Sequence, residues 1–175
     1  GYRVLCIDNL SKGQMSNIEH HMDNDKFIFF EKDIMDRDFL FNMDYKLDFI
    51  IHMAASKIPR YSSAMNTLKI NSDGTINILD LAVKHKSRIV LASTSDVYGK
   101  AQKFPFAEDD DLIIGKSSSR RWSYAVSKLF DEHMAFAYGD ELDTDFVLLR
   151  FFGTYGERQY LNWWGGPQGV FLEAI

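Results

Sequence analysis

A chain of 175 residues, 46% apolar and 26% charged, is long enough for one soluble domain with its own hydrophobic core. Its net charge of −5 argues against a nucleic-acid surface, since phosphate neutralisation needs clustered Lys and Arg, and basic clusters such as Arg120-Arg121 are too short. No apolar run reaches the length of a membrane span and no secretory signal opens the chain, while the single Cys6 rules out an internal disulfide and fits a reducing cytoplasm.

The first apolar run, Val4-Leu5-Cys6-Ile7, ends in Asp8. A carboxylate after a buried strand can accept hydrogen bonds from both hydroxyls of an adenosine ribose, and it repels a 2′-phosphate, which selects NAD over NADP. The alternative is a turn or helix cap. Asn9-Leu10-Ser11, a glycosylation triplet, reads as a chance match. His20-His21 has no partner cluster, and the five histidines lack ligand spacing, so no metal site is expected.

Phe27-Ile28-Phe29-Phe30 is the second run, followed by Glu31-Lys32-Asp33-Ile34. Asp33 can meet an adenine amino group while Ile34 packs on the ring; otherwise Asp33 caps a helix. The third run, Phe49-Ile50-Ile51, leads into His52-Met53-Ala54-Ala55-Ser56, whose small residues would let a ligand lie close to the backbone. Ile70, Gly74, Ile78, Leu81 and Ala82 recur at helical spacing. A fourth run, Ile89-Val90-Leu91-Ala92, opens into the hydroxyl-rich Ser93-Thr94-Ser95 and Asp96.

Residues 100–121, with Pro105, the acids 108–111 and three serines at 117–119, read as a long surface loop. Tyr124 and Lys128 then stand four residues apart at the start of a helix marked by Val126, Phe130, Met134 and Ala137. Positions i and i+4 share a face, so a phenol and an ammonium can address one point. Phe146-Val147-Leu148-Leu149 is the last strand run. After Arg150, Gly153, Gly156, Gly165, Gly166 and Pro167 mark loops, and 168–175 begins another helix.

The apolar runs are continuous rather than alternating, which predicts strands covered on both faces. Alternation with helices predicts an α/β fold with a Rossmann-type, doubly wound parallel sheet. The chain opens directly into a strand, stops within an apparent helix and holds no G-x-G-x-x-G. It therefore reads as a fragment: an NAD-binding domain over 1–152 lacking its first strand, and the truncated start of a small substrate-binding region over 153–175.

Together these stretches resemble the extended short-chain dehydrogenase/reductase family, the NAD-dependent epimerases, dehydratases and decarboxylases of sugar nucleotides. The resemblance runs through residues 8–13, Asp33-Ile34, His52 to Ala55, Asn71 to Thr75, Ser93 to Gly99, the Tyr124/Lys128 pair and Leu149 to Gly156. It implies that Asp8, Asn9, Ser11 and Gly13 hold the adenosine and that Asp33 and Ile34 hold the adenine. Met53, Ala54, Ala55 and Lys57 line the dinucleotide, with Asn71, Ser93 and Phe151 completing the cofactor set. Thr94, Tyr124 and Lys128 are the implied catalytic residues. Residues 94–99 are most similar to the corresponding stretch of UDP-glucuronate decarboxylases, except that Asp96 stands where those have Glu. Gly153 stands where many members place an Asn that helps hold the substrate phosphates.

The expected chemistry is oxidation at a sugar carbon, most simply C4, to a transient 4-keto intermediate that partitions to epimer, dehydration product or decarboxylation product. Tyr124 is the expected base, with Lys128 lowering its pKa and holding the nicotinamide ribose, and Thr94 orienting the reacting oxygen. Asp96 is either an additional acid/base group or a loop cap. A reductase of small carbonyl compounds and a non-catalytic NAD-binding protein are the rival readings. The resemblance also implies a homodimer formed through the tyrosine-bearing helix.

Overall fold

The computed structural model describes residues 1–57, 63–162 and 166–174. Gly165 and Ile175, read above as a loop marker and the end of a helix, lie outside the described residues. Among the described residues five strands form, at the five apolar runs: β1 (Val4–Asp8), β2 (Phe27–Glu31), β3 (Phe49–His52), β4 (Arg88–Thr94) and β5 (Phe146–Phe151). Every pairing is parallel. Two sheets result, β1-β2 and β3-β4-β5. Among the described residues β1 and β3 each keep one unpaired edge.

Burial departs from the expectation of strands covered on both faces. β4 lies between β3 and β5 and buries Ile89, Leu91 and Ser93. By contrast Val4 of β1 and Phe49 and Ile51 of β3 are exposed, Ile51 by 70%. β4 has a paired strand on each side, whereas β1 and β3 each have one.

Among the described residues four helices of more than one turn accompany the strands: α1 (Arg37–Asn42), α2 (Ala64–His85), α3 (Ser123–Leu142) and α4 (Pro167–Glu173). α2 and α3 extend beyond the periodic residues that predict them. Ser63 caps α2 by accepting from Asn66 N at 3.2 Å, and Lys84 and His85 occupy its last turn, where the helix dipole favours cations. Lys86 ends it in the left-handed conformation.

The core is built where α2 and α3 meet the sheets, around Leu40, Leu79, Leu81, Ile89 and Ala135, each at most 2% exposed. Burying each leucine or isoleucine side chain contributes roughly 1.5–3 kcal/mol. The backbone at Gly74 packs closely on Ile34, and a Cβ there would overlap the end of the Ile34 side chain. The loop over 100–121 is anchored by a bridge between Gly99 and Ile113.

Candidate active site

The carboxyl ends of the parallel strands carry the polar residues singled out by the sequence. At the end of β1, the exposed Asp8 accepts from Leu10 N at 2.7 Å, and Leu10 is held at φ 52°. A Cβ on Gly13 would lie 2.9 Å from Asp8 Oδ1, so the absence of a side chain there lets the loop close over the carboxylate. Asn9 Nδ2 donates to Asp33 Oδ2 at 2.7 Å, which joins the ends of β1 and β2, and Ser11 N donates to Asn9 Oδ1 at 3.0 Å. Asp33 also accepts from Met35 N in a tight turn, while the cap of α1 is Asp36. Ile34 turns inward, 8% exposed, over Gly74, and its carbonyl accepts from Asn77. Asp33 is therefore the member of that pair whose side chain stays at the surface.

At the end of β3, Met53, Ala54 and Ala55 are exposed and Lys57 follows them. Asn71 is 1% exposed and clamps this segment: its Oδ1 accepts from Ser56 N at 2.7 Å, and its Nδ2 donates to Ser56 O and Ser127 Oγ. Both Nδ2 hydrogens are thus committed within the protein, joining the β3 loop to α3. A cleft of about 460 Å³ runs beside Lys57, Asn17 and residues 154–160. Burial pushes the Lys57 ammonium below its usual range.

The end of β4 carries Ser93 and Thr94, level with Arg150 and Phe151 of β5. Ser93 is buried and donates to Glu132 of α3. Arg150 grips the same carboxylate through Nε at 3.0 Å and Nη2 at 2.8 Å, and its guanidinium lies 4.9 Å from the Tyr98 ring centroid. Ser93 therefore ties β4 to α3. Thr94 Oγ1 accepts from Asp96 N at 3.2 Å, so the hydroxyl caps the turn that carries Asp96.

Tyr124, Lys128, Asp131 and Ala135 form one stripe of α3 at i, i+4, i+7 and i+11. The Tyr124 phenol lies within electrostatic reach of Asp96, with Thr94 close by. Lys128 is 3% exposed, and its Nζ donates to Asp131 Oδ2 at 3.2 Å. Behind this pair, His52 Nε2 lies 3.0 Å from Thr75 Oγ1. Burial, and then the Lys128 charge, push His52 down to about 3, so it is neutral at physiological pH.

Burial, reinforced by the carboxylates of Asp96 and Asp131, pushes the Tyr124 phenol up to about 12. Asp131, Glu132 and Arg150 are site-forming residues that motif reading passed over. The one signal for Asp131 was that it falls on the Tyr124/Lys128 stripe.

Among the described residues no three His, Cys, Asp or Glu side chains are grouped to hold a metal, and no helix is long and apolar enough to cross a membrane. Residues 1–164 match the profile of the GDP-mannose 4,6 dehydratase family. The chain belongs to this family. Within it, the chain is 34% identical, over 99% of its length, to a UDP-N-acetyl-alpha-D-glucosaminuronate decarboxylase of Bacillus cytotoxicus, of which it covers 54%. It is 31% identical over its whole length to UDP-glucuronic acid decarboxylase 1 of Danio rerio, covering 41% of that protein. A crystal structure of the dTDP-glucose 4,6-dehydratase DesIV of Streptomyces venezuelae, with NAD bound, superposes with a TM-score of 0.81 at 27% identity. That match covers 90% of this chain and 48% of DesIV. The chain thus spans about half the length of the curated relatives it matches, and its fold is the Rossmann-type fold of family epimerases and dehydratases.

Proposed function

We propose that the protein modifies a nucleotide sugar with NAD as cofactor, through a transient 4-keto intermediate. The observation that carries this reading is the packing of the β4 carboxyl end, with Thr94 and Asp96, against α3, whose one stripe carries Tyr124 and Lys128. The NAD-containing dehydratase relative and the two decarboxylase relatives support the reaction class.

The residues present fit NAD. Asp8 offers an exposed carboxylate beside the side-chain-free Gly13, and Ala54 and Ala55 leave the backbone open. Asp8, Asn9, Ser11 and Gly13 would hold the adenosine, Asp33 through its side chain and Ile34 through its backbone alone the adenine, and Met53, Ala54, Ala55 and Lys57 the dinucleotide, with Phe151 at the nicotinamide side. Asn71 and Ser93 act from behind, by fixing the β3 loop and β4 against α3. Bound NAD⁺ would supply the hydride acceptor. Tyr124 takes the sugar hydroxyl proton, Thr94 orients the reacting oxygen, and Lys128 holds the nicotinamide ribose with donors not used on Asp131. Asp96 serves as the acid or base that directs the fate of the oxidised sugar, and decarboxylation is the outcome favoured by the similarity to the two decarboxylases.

Residues 1–152 form the NAD-binding part in this reading, and 153–175 begin the sugar-nucleotide region. Exposed Met65 and Leu68 on α2 and Val126 and Phe130 on α3, at helical spacing, support a homodimer formed through these helices. The lone Cys6 accords with a cytoplasmic enzyme. The test is product analysis by mass spectrometry, using the intact protein with NAD⁺ and UDP-glucuronate, UDP-N-acetylglucosaminuronate, UDP-glucose or a panel of small ketones. Conversion of ketones alone would replace this reading with the small-carbonyl reductase.

A further inference from the structure

The loop that leaves β3 at residues 53–57 has no regular structure, and Met53, Ala54 and Ala55 are exposed on it. Its attachment runs through Ser56. Asn71 Oδ1 accepts from Ser56 N at 2.7 Å, and Asn71 Nδ2 donates to Ser56 O at 3.1 Å. These two bonds fix the orientation of the amide, since a flip would set donor against donor and acceptor against acceptor. The remaining Nδ2 hydrogen is left for α3, where it meets Ser127 Oγ at 2.8 Å.

Ser127 must answer as an acceptor, so its own proton has to go elsewhere. It goes to Tyr124 O, three residues back on α3, at 2.8 Å. A serine bonded to its own helix is ordinary. What sets this one apart is the second bond, from a side chain 56 residues away. Asn71 and Ser127 are each 1% exposed, so bulk water does not compete for these groups. The bonds run in one direction, from the Ser56 backbone through the Asn71 amide and the Ser127 hydroxyl to the backbone of Tyr124. A second tie, between Ser56 Oγ and Thr67 Oγ1 at 3.3 Å, holds the loop to α2 rather than to α3.

We propose that Ser127 is a positioning residue that holds the 53–57 loop, already shaped for the dinucleotide, against the opening turns of α3. This deepens the nucleotide-sugar reading and rests on it, since there Met53, Ala54, Ala55 and Lys57 line NAD. The loop is ordered before the cofactor arrives, so binding does not bear the cost of ordering it. Without the hydroxyl, the amide keeps a buried donor with no acceptor, and the loop relaxes away from α3 while α2 still tethers it.

The test is calorimetric titration of NAD into the intact, cofactor-free protein, well below its melting temperature. Ser127→Ala should weaken NAD binding by about five- to tenfold, the size of one buried hydrogen bond left unmade. Turnover of the nucleotide sugar at saturating NAD should stay within about twofold of wild type, because the bound cofactor holds the loop in place. A structural role alone would lower the melting temperature and leave NAD affinity at the wild-type value, and that result overturns the proposal. In an Asn71→Leu background the same substitution should add nothing, since the tie is already open; a further loss of about fivefold overturns it. If Ser127→Ala does not fold around the unmatched amide, Asn71→Leu/Ser127→Ala decides, because both polar partners are then apolar. Weaker NAD binding by this double variant supports the proposal, and wild-type affinity overturns it. The titration needs no sugar substrate. A wild type that fails to bind NAD ends the cofactor reading and the proposal with it, whereas a wild type and a Ser127→Ala variant that bind alike end the proposal alone.

Discussion

Arg150 and Glu132 form a two-pronged ion pair across the junction of β5 and α3, with nitrogen–oxygen distances of 3.0 and 2.8 Å and Glu132 only 4% exposed. Ser93 donates to the same carboxylate, so three elements meet on one side chain. Removing one partner leaves the other charged and buried. Arg150→Met should therefore lower unfolding stability by about 3–5 kcal/mol, measured by urea denaturation. Replacing both partners with apolar residues should recover much of that loss.

Tyr124→Phe removes the proposed base while keeping the ring that packs on α3. Turnover of the nucleotide sugar should fall by roughly 10²–10⁴-fold in the intact protein. NAD affinity, measured by calorimetry, should change little. Retention of full turnover would exclude Tyr124 as the base.

His52 sets an acid-side limit on stability. Its pKa falls from 6.5 in the unfolded chain to about 3 in the fold, so between these values the unfolded chain binds the extra proton. Stability from this group is complete above pH 6.5 and declines as pH drops, by about 1.4 kcal/mol per unit. Asp131 works in the opposite sense. Burial lifts it to about 6, so the stability linked to its protonation is present at low pH and declines as pH rises through that value. The two effects offset each other between about pH 4 and 6. The difference in stability between wild type and His52→Asn isolates the histidine, and it should narrow steadily from pH 6.5 downward.

Gly74→Ala places a methyl group against Ile34 in a packed core. Overpacking of this kind costs about 1–3 kcal/mol. The melting temperature should fall accordingly, and the double variant with Ile34→Val should recover part of the loss by making room.

The unpaired edges of β1 and β3, with Phe49 and Ile51 exposed beside them, leave the two halves of the proposed dinucleotide crevice without a shared hydrogen-bonded sheet. The 175-residue chain alone should bind NAD weakly and catalyse nothing. Titration of NAD into it, followed by calorimetry, checks this. Tight binding would show that the crevice is complete as it stands.

The strand cores were legible because continuous Val, Ile, Leu and Phe runs have few alternatives in a soluble protein. The Tyr124/Lys128 pair was legible because helical spacing alone puts both on one face. α1 escaped notice because six residues, Arg37–Asn42, are too few to display a helical period. Asp131 and Glu132 were passed over because adjacent acids inside a helix usually face water. Their burial depends on how α3 lies against α2, β4 and β5, which a local pattern does not encode. Asn71 and Ser93 illustrate the same limit from the other side: their polar groups are consumed in joining elements distant in sequence.

Because among the described residues the two sheets share no strand pairing, α2 is the ruler between them. Asn71 fixes the β3 loop and α3, Thr75 meets His52, and Gly74 and Asn77 seat Ile34 beside the proposed adenine end. From Asn71 to Asn77 is about 9 Å of helix axis. The reach between the adenosine end and the chemical end of a bound dinucleotide is thereby graduated in helical turns. An insertion or deletion of one residue within this stretch would rotate one set of attachments about 100° away from the other, and the two ends of the crevice would lose their common register.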